Sequence, residues 1–105
     1  MSDSKNILTK EALRKSVGMS TSEFDEELQE LEAAAIQKME LSGINPEKIV
    51  KDDNLVVTTI KAYVKANFRF ADINLSAKFQ EIFEENKNYM RSTSEYTKES
   101  SDSNE

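Results

Sequence analysis

Apolar residues recur at helical spacing along most of the chain, and the clearest pattern lies in residues 54–70. Five apolar residues of this stretch follow one another at steps of three and four, so they share one face of an α-helix. They are Val56, Ile60, Tyr63, Val64 and Phe68. Lys61, Lys65 and Arg69 recur at steps of four on a neighbouring face. With Asp53 as its N-cap, this stretch is the predicted central helix of the fold.

Two helices are predicted before it. Thr9 can cap a short first helix, which ends at Gly18, a natural left-handed stop. The second helix is strongly acidic, and a capping box starting at Ser20 or at Ser22 can begin it. Its predicted buried stripe consists of Phe24, Leu28, Leu31, Ala35 and Met39. The first two helices therefore both carry an apolar face that can pack on the central helix.

The connection between the second and central helices is predicted to be a loop. Gly43 ends the second helix, and Ile44 can fold back onto it in a Schellman-like contact. Residues 45–52 contain the only proline of the chain. Ile49 and Val50 in this loop either tuck under the bundle or contact a neighbouring molecule, and the sequence leaves both possibilities open.

A fourth helix is predicted after a turn at residues 71–74, with Asn74 or Ser76 as its cap. Its inward residues are Leu75, Phe79, Ile82, Phe83 and Met90. From residue 91 onward the chain has too few apolar residues to fold alone. Tyr96 is the one aromatic residue there, and it is either disordered or an anchor on a partner surface.

Together these elements predict an all-α fold, a small bundle of about four helices of which the first is short. A chain of 105 residues has room for one domain. The helical domain is expected over residues 9–90, after a flexible N-terminus at residues 1–8. Residues 91–105 are expected to form a disordered acidic tail.

The composition removes most chemistry. Without histidine or cysteine, the chain lacks the usual acid–base group, the thiolate nucleophile and the commonest zinc ligands. Carboxylate pairs such as Glu26 and Glu27 are read as surface charge, and neither glycine belongs to a phosphate-binding loop. We therefore expect no enzyme, no cofactor and no metal. No apolar run reaches the ~18–20 residues of a membrane span, and the first residues lack the apolar core of a signal peptide.

A DNA-reading helix–turn–helix is a weaker interpretation of residues 13–28. The order of short helix, glycine turn and second helix fits that motif. However, the helix that would enter the groove opens with SEFDEEL, which would set four carboxylates against phosphate. The formal net charge of −6 also opposes nucleic-acid binding, because phosphate contacts require a cationic surface.

The charges are unevenly distributed. Residues 23–53 carry a net charge of −7 and residues 54–74 a net charge of +2. An acidic stripe is formed by Glu23, Glu26, Glu27 and Glu30. Three interpretations remain open: solvated faces, contact between the acidic and cationic helices of neighbouring copies, or an acidic stripe facing a channel through which DNA passes.

The segment Tyr63-Val64-Lys65-Ala66-Asn67-Phe68, with an acidic helix before it and KFQEIFEENKNYM after it, resembles the head–tail connector proteins of tailed bacteriophages. These are also called adaptor or head-completion proteins, and the resemblance covers residues 8–91. It implies a homo-oligomeric ring of about a dozen copies at the neck of the virion. Such a ring docks under the portal protein, lets DNA pass without specific binding, and receives the next neck or tail protein. Assembly is expected in the host cytoplasm, with no membrane involved.

The expected contacts are of two kinds. Candidates for the contact between subunits are Glu23, Glu26, Glu27, Glu30, Lys61, Lys65 and Arg69. Candidates for the contact with the portal or neck are Ile49, Val50, Phe70 and Tyr96. The alternative function is a small acidic helical regulator, such as an anti-repressor or nucleic-acid mimic, that binds another protein.

Overall fold

A computed structural model describes residues 6–97, and within them the fold is helical without any strand. The predicted all-α class is confirmed. The helices are α1 (Lys10–Ser16), α2 (Asp25–Leu41), α3 (Asn54–Asn67), α4 (Ile73–Arg91) and α5 (Ser94–Thr97). A short 3-10 turn at Pro46–Lys48 lies in the loop before α3.

Helix α3 is the centre of the bundle, and all five residues of its predicted apolar stripe are buried. Helices α2 and α4 both run antiparallel to it. The first turn of α2 lies at the end of α3, where Arg69 bonds Glu27. The start of α4 lies at the same end, where the Ser76 hydroxyl donates to the Ala66 carbonyl. The largest fully buried side chains include Leu13, Leu28, Ile36, Met39, Ile44, Ile49, Ile60, Phe83 and Met90. The core therefore takes residues from α1, α2, α3, α4 and the loop.

Several predicted helix ends are confirmed. Thr9 accepts a hydrogen bond from the Ala12 amide, and Asp53 accepts one from the Val56 amide. Gly18 and Gly43 have φ angles of 75° and 114°, which L side chains adopt only with strain. After α2, the Ile44 amide donates to the Met39 carbonyl at 3.2 Å, so the Schellman contact forms.

Two predicted caps are wrong. Helix α2 begins only at Asp25, after Phe24, and no side chain caps it. The Phe24 ring packs on the aromatic residues at the end of α3, which holds the chain before α2 in a turn. Helix α4 is capped by Asp72 rather than Asn74 or Ser76, because the Asp72 carboxylate reaches the amides of Asn74 and Leu75 first.

Helix α3 is also three residues shorter than predicted. It ends at Asn67 because the backbone of Phe68 is extended, with φ −67° and ψ 145°. The chain then turns towards α4, with the Ala71 amide donating to the Phe68 carbonyl. Leu75, predicted to point inward, is exposed in the first turn of α4.

A buried glutamate in α2 holds the N-terminal segment, which the sequence predicted to be flexible through residue 8. The Glu32 side chain has no exposed surface. One of its oxygens accepts the backbone amides of Ile7 and Leu8, and the other accepts the Asn6 side-chain amide, each at 2.8 Å. The sequence showed only one more acidic residue in an acidic helix, so this anchor was missed.

The packed part of the chain also extends past residue 90, where the sequence analysis ended the domain. Tyr96 in α5 is buried, its carbonyl accepts the Asn45 amide at 2.9 Å, and its hydroxyl donates to Asp53 Oδ2 at 2.9 Å. The buried ring and these two hydrogen bonds fix the turn against the loop before α3 and the start of α3. The expectation of a disordered or partner-bound Tyr96 is therefore corrected. Residues 1–5 and 98–105 of the two predicted flexible ends lie outside the described residues.

We predict that Glu32→Gln destabilises the domain by about 1–3 kcal/mol. The two carboxylate oxygens of Glu32 accept three N–H groups, and glutamine replaces one of these oxygens with an amide nitrogen, which donates instead of accepting. Glu30→Gln, on the exposed face of the same helix, is the matched control and should leave the free energy of unfolding nearly unchanged. Urea unfolding followed by circular dichroism measures both. Equal stabilities of the two variants would contradict the proposed anchor.

We predict that Tyr96→Phe lowers the free energy of unfolding by about 1 kcal/mol at pH 8, through the lost hydrogen bond to Asp53. Burial, together with the Asp53 carboxylate, raises the pKa of Tyr96 from 10.0 to about 12. The folded state then holds this proton more tightly than the unfolded state, so the stability from Tyr96 is complete below pH 10 and is lost as pH rises towards 12.

The advantage of the wild type over Tyr96→Phe should therefore shrink between pH 10 and about 12. Urea unfolding at several alkaline pH values measures it. Tyr89→Phe alters an exposed tyrosine and serves as the control. A stability difference that stays constant across this range would refute the assignment.

Candidate interaction surfaces

Three aromatic rings form a corner where α3 ends. Phe24, Phe68 and Phe70 pack edge to face, with ring centroids 5.8, 5.3 and 5.6 Å apart. The extended backbone at Phe68 turns its ring into the core, where it is 5% exposed. Phe70 lies on the outside of the corner and is 63% exposed. Phe70, which the sequence analysis names as a candidate contact with the portal or neck, is therefore accessible to another molecule.

Two more apolar side chains enlarge this exposed area. Ile73 and Leu75 in the first turn of α4 are 82% and 52% exposed. We call Phe70, Ile73 and Leu75 the apolar corner. Phe70 and Leu75 line a common groove, and Ile73 lies between them in the chain. Single exposed apolar residues are ordinary, but several close together are typical of a surface that contacts another molecule.

A groove runs from the apolar corner along the seam between α3 and α4. Its wider part has a volume of about 410 Å³, and its walls include Val17, Met19, Phe68, Leu75 and Phe79. Its narrower part, of about 160 Å³, lies between Thr58, Lys61, Ala62 and Ile82. Lys65 and Phe79 line both parts. We therefore describe them as one α3–α4 groove.

The floor of the α3–α4 groove is apolar and one wall is cationic. Lys61 and Lys65 lie one helical turn apart on the α3 side, and both are half-buried. The Lys65 ammonium lies 4.8 Å from the centre of the Phe79 ring, which fits a cation–π contact. Within the described residues neither lysine forms an ion pair, so both charges can meet a partner.

The acidic stripe divides into two parts in the structure. Glu27 bonds Arg69 of the same chain at 2.8 Å, and the Arg69 guanidinium also lies over the Phe24 ring at 4.9 Å. Glu23 lies before α2 begins. Glu26 and Glu30 are exposed on α2 and form no ion pair within residues 6–97. The structure thus brings together one acidic and one cationic candidate, but within one molecule.

A second ion pair joins α1 to α2. The Arg14 guanidinium donates two hydrogen bonds to the Asp25 carboxylate, at 2.8 and 2.6 Å. These bonds from Arg14 hold the pKa of Asp25 below its usual value and raise the pKa of Arg14. The geometry fixes the short α1 against the start of α2, and it was not foreseen from sequence because the two residues are eleven apart across a turn.

The four residues predicted to meet the portal or neck protein fall into two groups. Phe70 and Val50 are exposed. Ile49 and Tyr96 are buried in the core, because the loop before α3 folds under the bundle and α5 closes over it. In this conformation only the first pair can contact a partner.

The end of the molecule opposite the apolar corner carries exposed apolar residues of its own. Leu41, the last residue of α2, is 79% exposed, and Tyr89 near the end of α4 is also exposed. Sequence analysis missed Leu41 because it falls two residues after Met39 and lies off the buried stripe. Extending the helical periodicity of α2 beyond Met39 places residue 41 on a different face from the buried stripe, which could have predicted the exposure of Leu41.

Within the described residues, no group of three or more acidic side chains is arranged to hold a metal ion. No helix among residues 6–97 is both long and apolar enough to span a membrane. The notable features of the surface are thus an apolar corner, a groove with a cationic wall and an acidic helix face. Such features are typical of a protein that assembles with other proteins.

Comparison with known protein families identifies the family of this chain. A family model described as phage connector protein matches residues 7–97, and the chain belongs to this family. No curated protein and no solved structure matches the chain significantly. The resemblance drawn from residues 8–91 is thereby confirmed, and the match also includes α5.

Membership of this family defines the general role of the chain. Phage connector proteins are structural rather than enzymatic, and they act at the junction of head and tail in the neck of the virion. The chain is a structural protein of this kind. Membership of the family implies interaction with portal and tail proteins of a phage.

We predict that the two neighbouring phenylalanines contribute very differently to stability. Phe68→Ala should lower the free energy of unfolding by about 3–5 kcal/mol, since it empties a buried site. Phe70→Ala should cost only about 1 kcal/mol, through lost edge-to-face contacts. Thermal or urea unfolding measures both, and a Phe70→Ala loss as large as that of Phe68→Ala would show that Phe70 belongs to the core.

Proposed function

We propose that this protein forms a ring below the portal of a tailed phage, extends the DNA channel and joins the head to the tail. The main observation in support is that the phage connector family model matches nearly all of the described residues. The resemblance noted from sequence implies about a dozen copies, and a closed ring requires two different surfaces on each copy. The acidic face of α2 and the cationic side of α3 supply such a pair.

The charges support contact between copies in a restricted form. Glu27 and Arg69 satisfy each other within the chain, so they contribute to the shape of the subunit. Glu26, Glu30, Lys61 and Lys65 form no ion pair within residues 6–97, and we propose them for contact with a neighbour. Single exposed ion pairs are weak, at about 0.2–1 kcal/mol, but contacts repeated around a ring add together through multivalency.

The apolar corner supports contact with the portal or the next neck protein or with another copy, and Val50 offers a smaller apolar contact at the opposite end. A ring in which the net acidic surface faces the channel lets DNA pass, because like charges repel. The formal net charge of −6 supports that arrangement. We propose the virion neck as the site of action, with assembly in the host cytoplasm.

Deletion of the gene for this protein from its phage tests the proposal. We predict heads that package DNA but release it, and that do not join tails, because the junction is incomplete. Electron microscopy and the amount of nuclease-protected DNA measure the two defects, and expression of the wild-type chain from a plasmid should restore both. Normal yields of tailed, DNA-filled particles without the protein would contradict the proposal.

The same strain tests the alternative function. If particles assemble normally and the purified chain instead forms a stable complex with a DNA-binding protein, the acidic regulator inferred from sequence is the better interpretation. Sedimentation of the purified chain with portal protein separates the two, since only the connector function requires the chain to co-sediment with the portal.

A further inference from the structure

Helix α4 carries a second stripe of side chains beside the α3–α4 groove. Its members recur at alternating steps of four and three, which is the spacing of a seam where one helix packs along another. We call it the α4 outer seam, and its residues are Leu75, Phe79, Ile82, Asn86 and Tyr89. Phe79 and Ile82 line the groove. Leu75 and Tyr89, at the two ends, are 52% and 58% exposed, so the seam is open to a further helix.

The outer face of α2 has a stripe with matching spacing. Four residues follow one another at steps of four, three and four, and the exposed Leu41 comes one turn later. We call these five the α2 outer stripe: Glu26, Glu30, Ala33, Gln37 and Leu41. None of the five is buried in the chain itself. Stripes of equal spacing on two helices can pack along each other over several turns.

Placed side by side in the same chain direction, the two stripes pair from their first members onward. The last three pairs are Ala33 with Ile82, Gln37 with Asn86, and Leu41 with Tyr89. In the first, a small side chain meets a large one, which lets the helices approach closely. In the second, two amides can bond each other. In the third, an exposed apolar side chain meets an exposed aromatic ring.

The two earlier pairs are polar. Glu30 comes opposite Phe79, and the Lys65 ammonium lies 4.8 Å from the centre of that ring. The carboxylate therefore meets an ammonium group at the place where it would otherwise face only an aromatic ring. Glu26 comes level with Leu75 at the end of the seam and gains no such partner, so the contact depends on the other four pairs.

We propose that the α2 outer stripe of one copy packs along the α4 outer seam of the next copy, parallel to that α4 and in this register. This rests on the proposed function, which places copies side by side, and it names the helix, the direction and the register of their contact. The chain's own residues outside the structure are poor competitors for the seam: MSDSK and KESSDSNE are almost entirely polar. A second copy is the occupant that fits.

Ring symmetry requires this direction. In a ring of about twelve copies each copy is rotated by about 30° from its neighbour, so equivalent helices of two neighbours lie within about 30° of parallel. Within one copy, α2 and α4 run in the same direction, because both are antiparallel to α3. Helix α2 of one copy therefore runs in nearly the same direction as α4 of the next, and the reverse direction would need a half-turn between neighbours.

The register follows from what a shift of seven residues would do. A shift towards the start of α4 sets Gln37 against the Phe79 ring. A shift towards its end sets Glu26 against Ile82 and carries Leu41 past the end of α4. Either shift puts a polar side chain on an apolar one and separates the two central amides. Paired polar residues within an otherwise apolar seam fix its register in this way.

Disulfide exchange between two variants tests the register, because the wild type has no cysteine. One chain carries Gln37→Cys activated as a mixed disulfide with thionitrobenzoate, and the other carries Asn86→Cys. The matched control partner is Asn88→Cys, which replaces the same residue type on the far side of α4 at a more exposed site. We predict that thionitrobenzoate release is at least about tenfold faster with Asn86→Cys, since packed helices hold the two sulfur atoms together.

A rescue experiment then tests the direction. Leu41→Glu in the activated chain should abolish most of the excess rate, and Tyr89→Lys in the partner should restore it by supplying an opposite charge. Leu75→Lys, at a similarly exposed site at the other end of the seam, should not restore it. Circular dichroism verifies that every variant retains its helices.

Several outcomes would overturn the proposed contact. They are equal rates for the two cysteine positions, a faster reaction at Asn88→Cys, an excess rate that Leu41→Glu leaves intact, and rescue by Leu75→Lys rather than by Tyr89→Lys.

These results are separable from the test of the proposed function. If the phage needs the protein but Asn86→Cys reacts no faster than its control, the connector function stands and this contact is rejected. If the cysteines react as predicted but the phage assembles normally without the protein, the contact stands as a self-association and the connector function is rejected.

Discussion

Burial of α3 from three directions is the constraint on which the rest of this fold depends. Half of the residues in the helix are buried, and they receive α2 on one side, α4 on another and α1 near the end. A helix of fourteen residues is marginal in water by itself. The packing of α1, α2 and α4 against α3 therefore supplies its stability, and the caps and turns of these helices direct each of them against α3.

The parts predictable from sequence were those set by local periodicity and backbone chemistry. The apolar stripe of α3, the cap at Asp53 and the left-handed glycines at positions 18 and 43 all follow from rules that act over a few residues. The positions of the helices and the class of fold follow from the same signals. Family resemblance added the general role, which composition alone does not specify.

The parts missed were decided by contacts distant in sequence. Glu32 carries no local sign that it will bind the amides of residues 7 and 8, and Tyr96 none that it will reach Asp53. Three residues could cap α4, and the first of them along the chain, Asp72, does so. The start of α2 was displaced by the packing of Phe24 on Phe68 and Phe70. Of the predicted interface residues, Glu27 and Arg69 pair within the chain because folding brings their helices together antiparallel. Only coordinates could separate them from Glu26 and Lys65.

Asp53 also couples two distant parts of the fold. One of its oxygens caps α3 and the other accepts the Tyr96 hydroxyl, so a single carboxylate joins the start of the central helix to the last described turn. A second hydrogen bond, from the Asn45 amide to the Tyr96 carbonyl, ties the same turn to the loop after α2. Detachment of α5 would break both links at once, so this end of the molecule opens and closes as one cooperative unit.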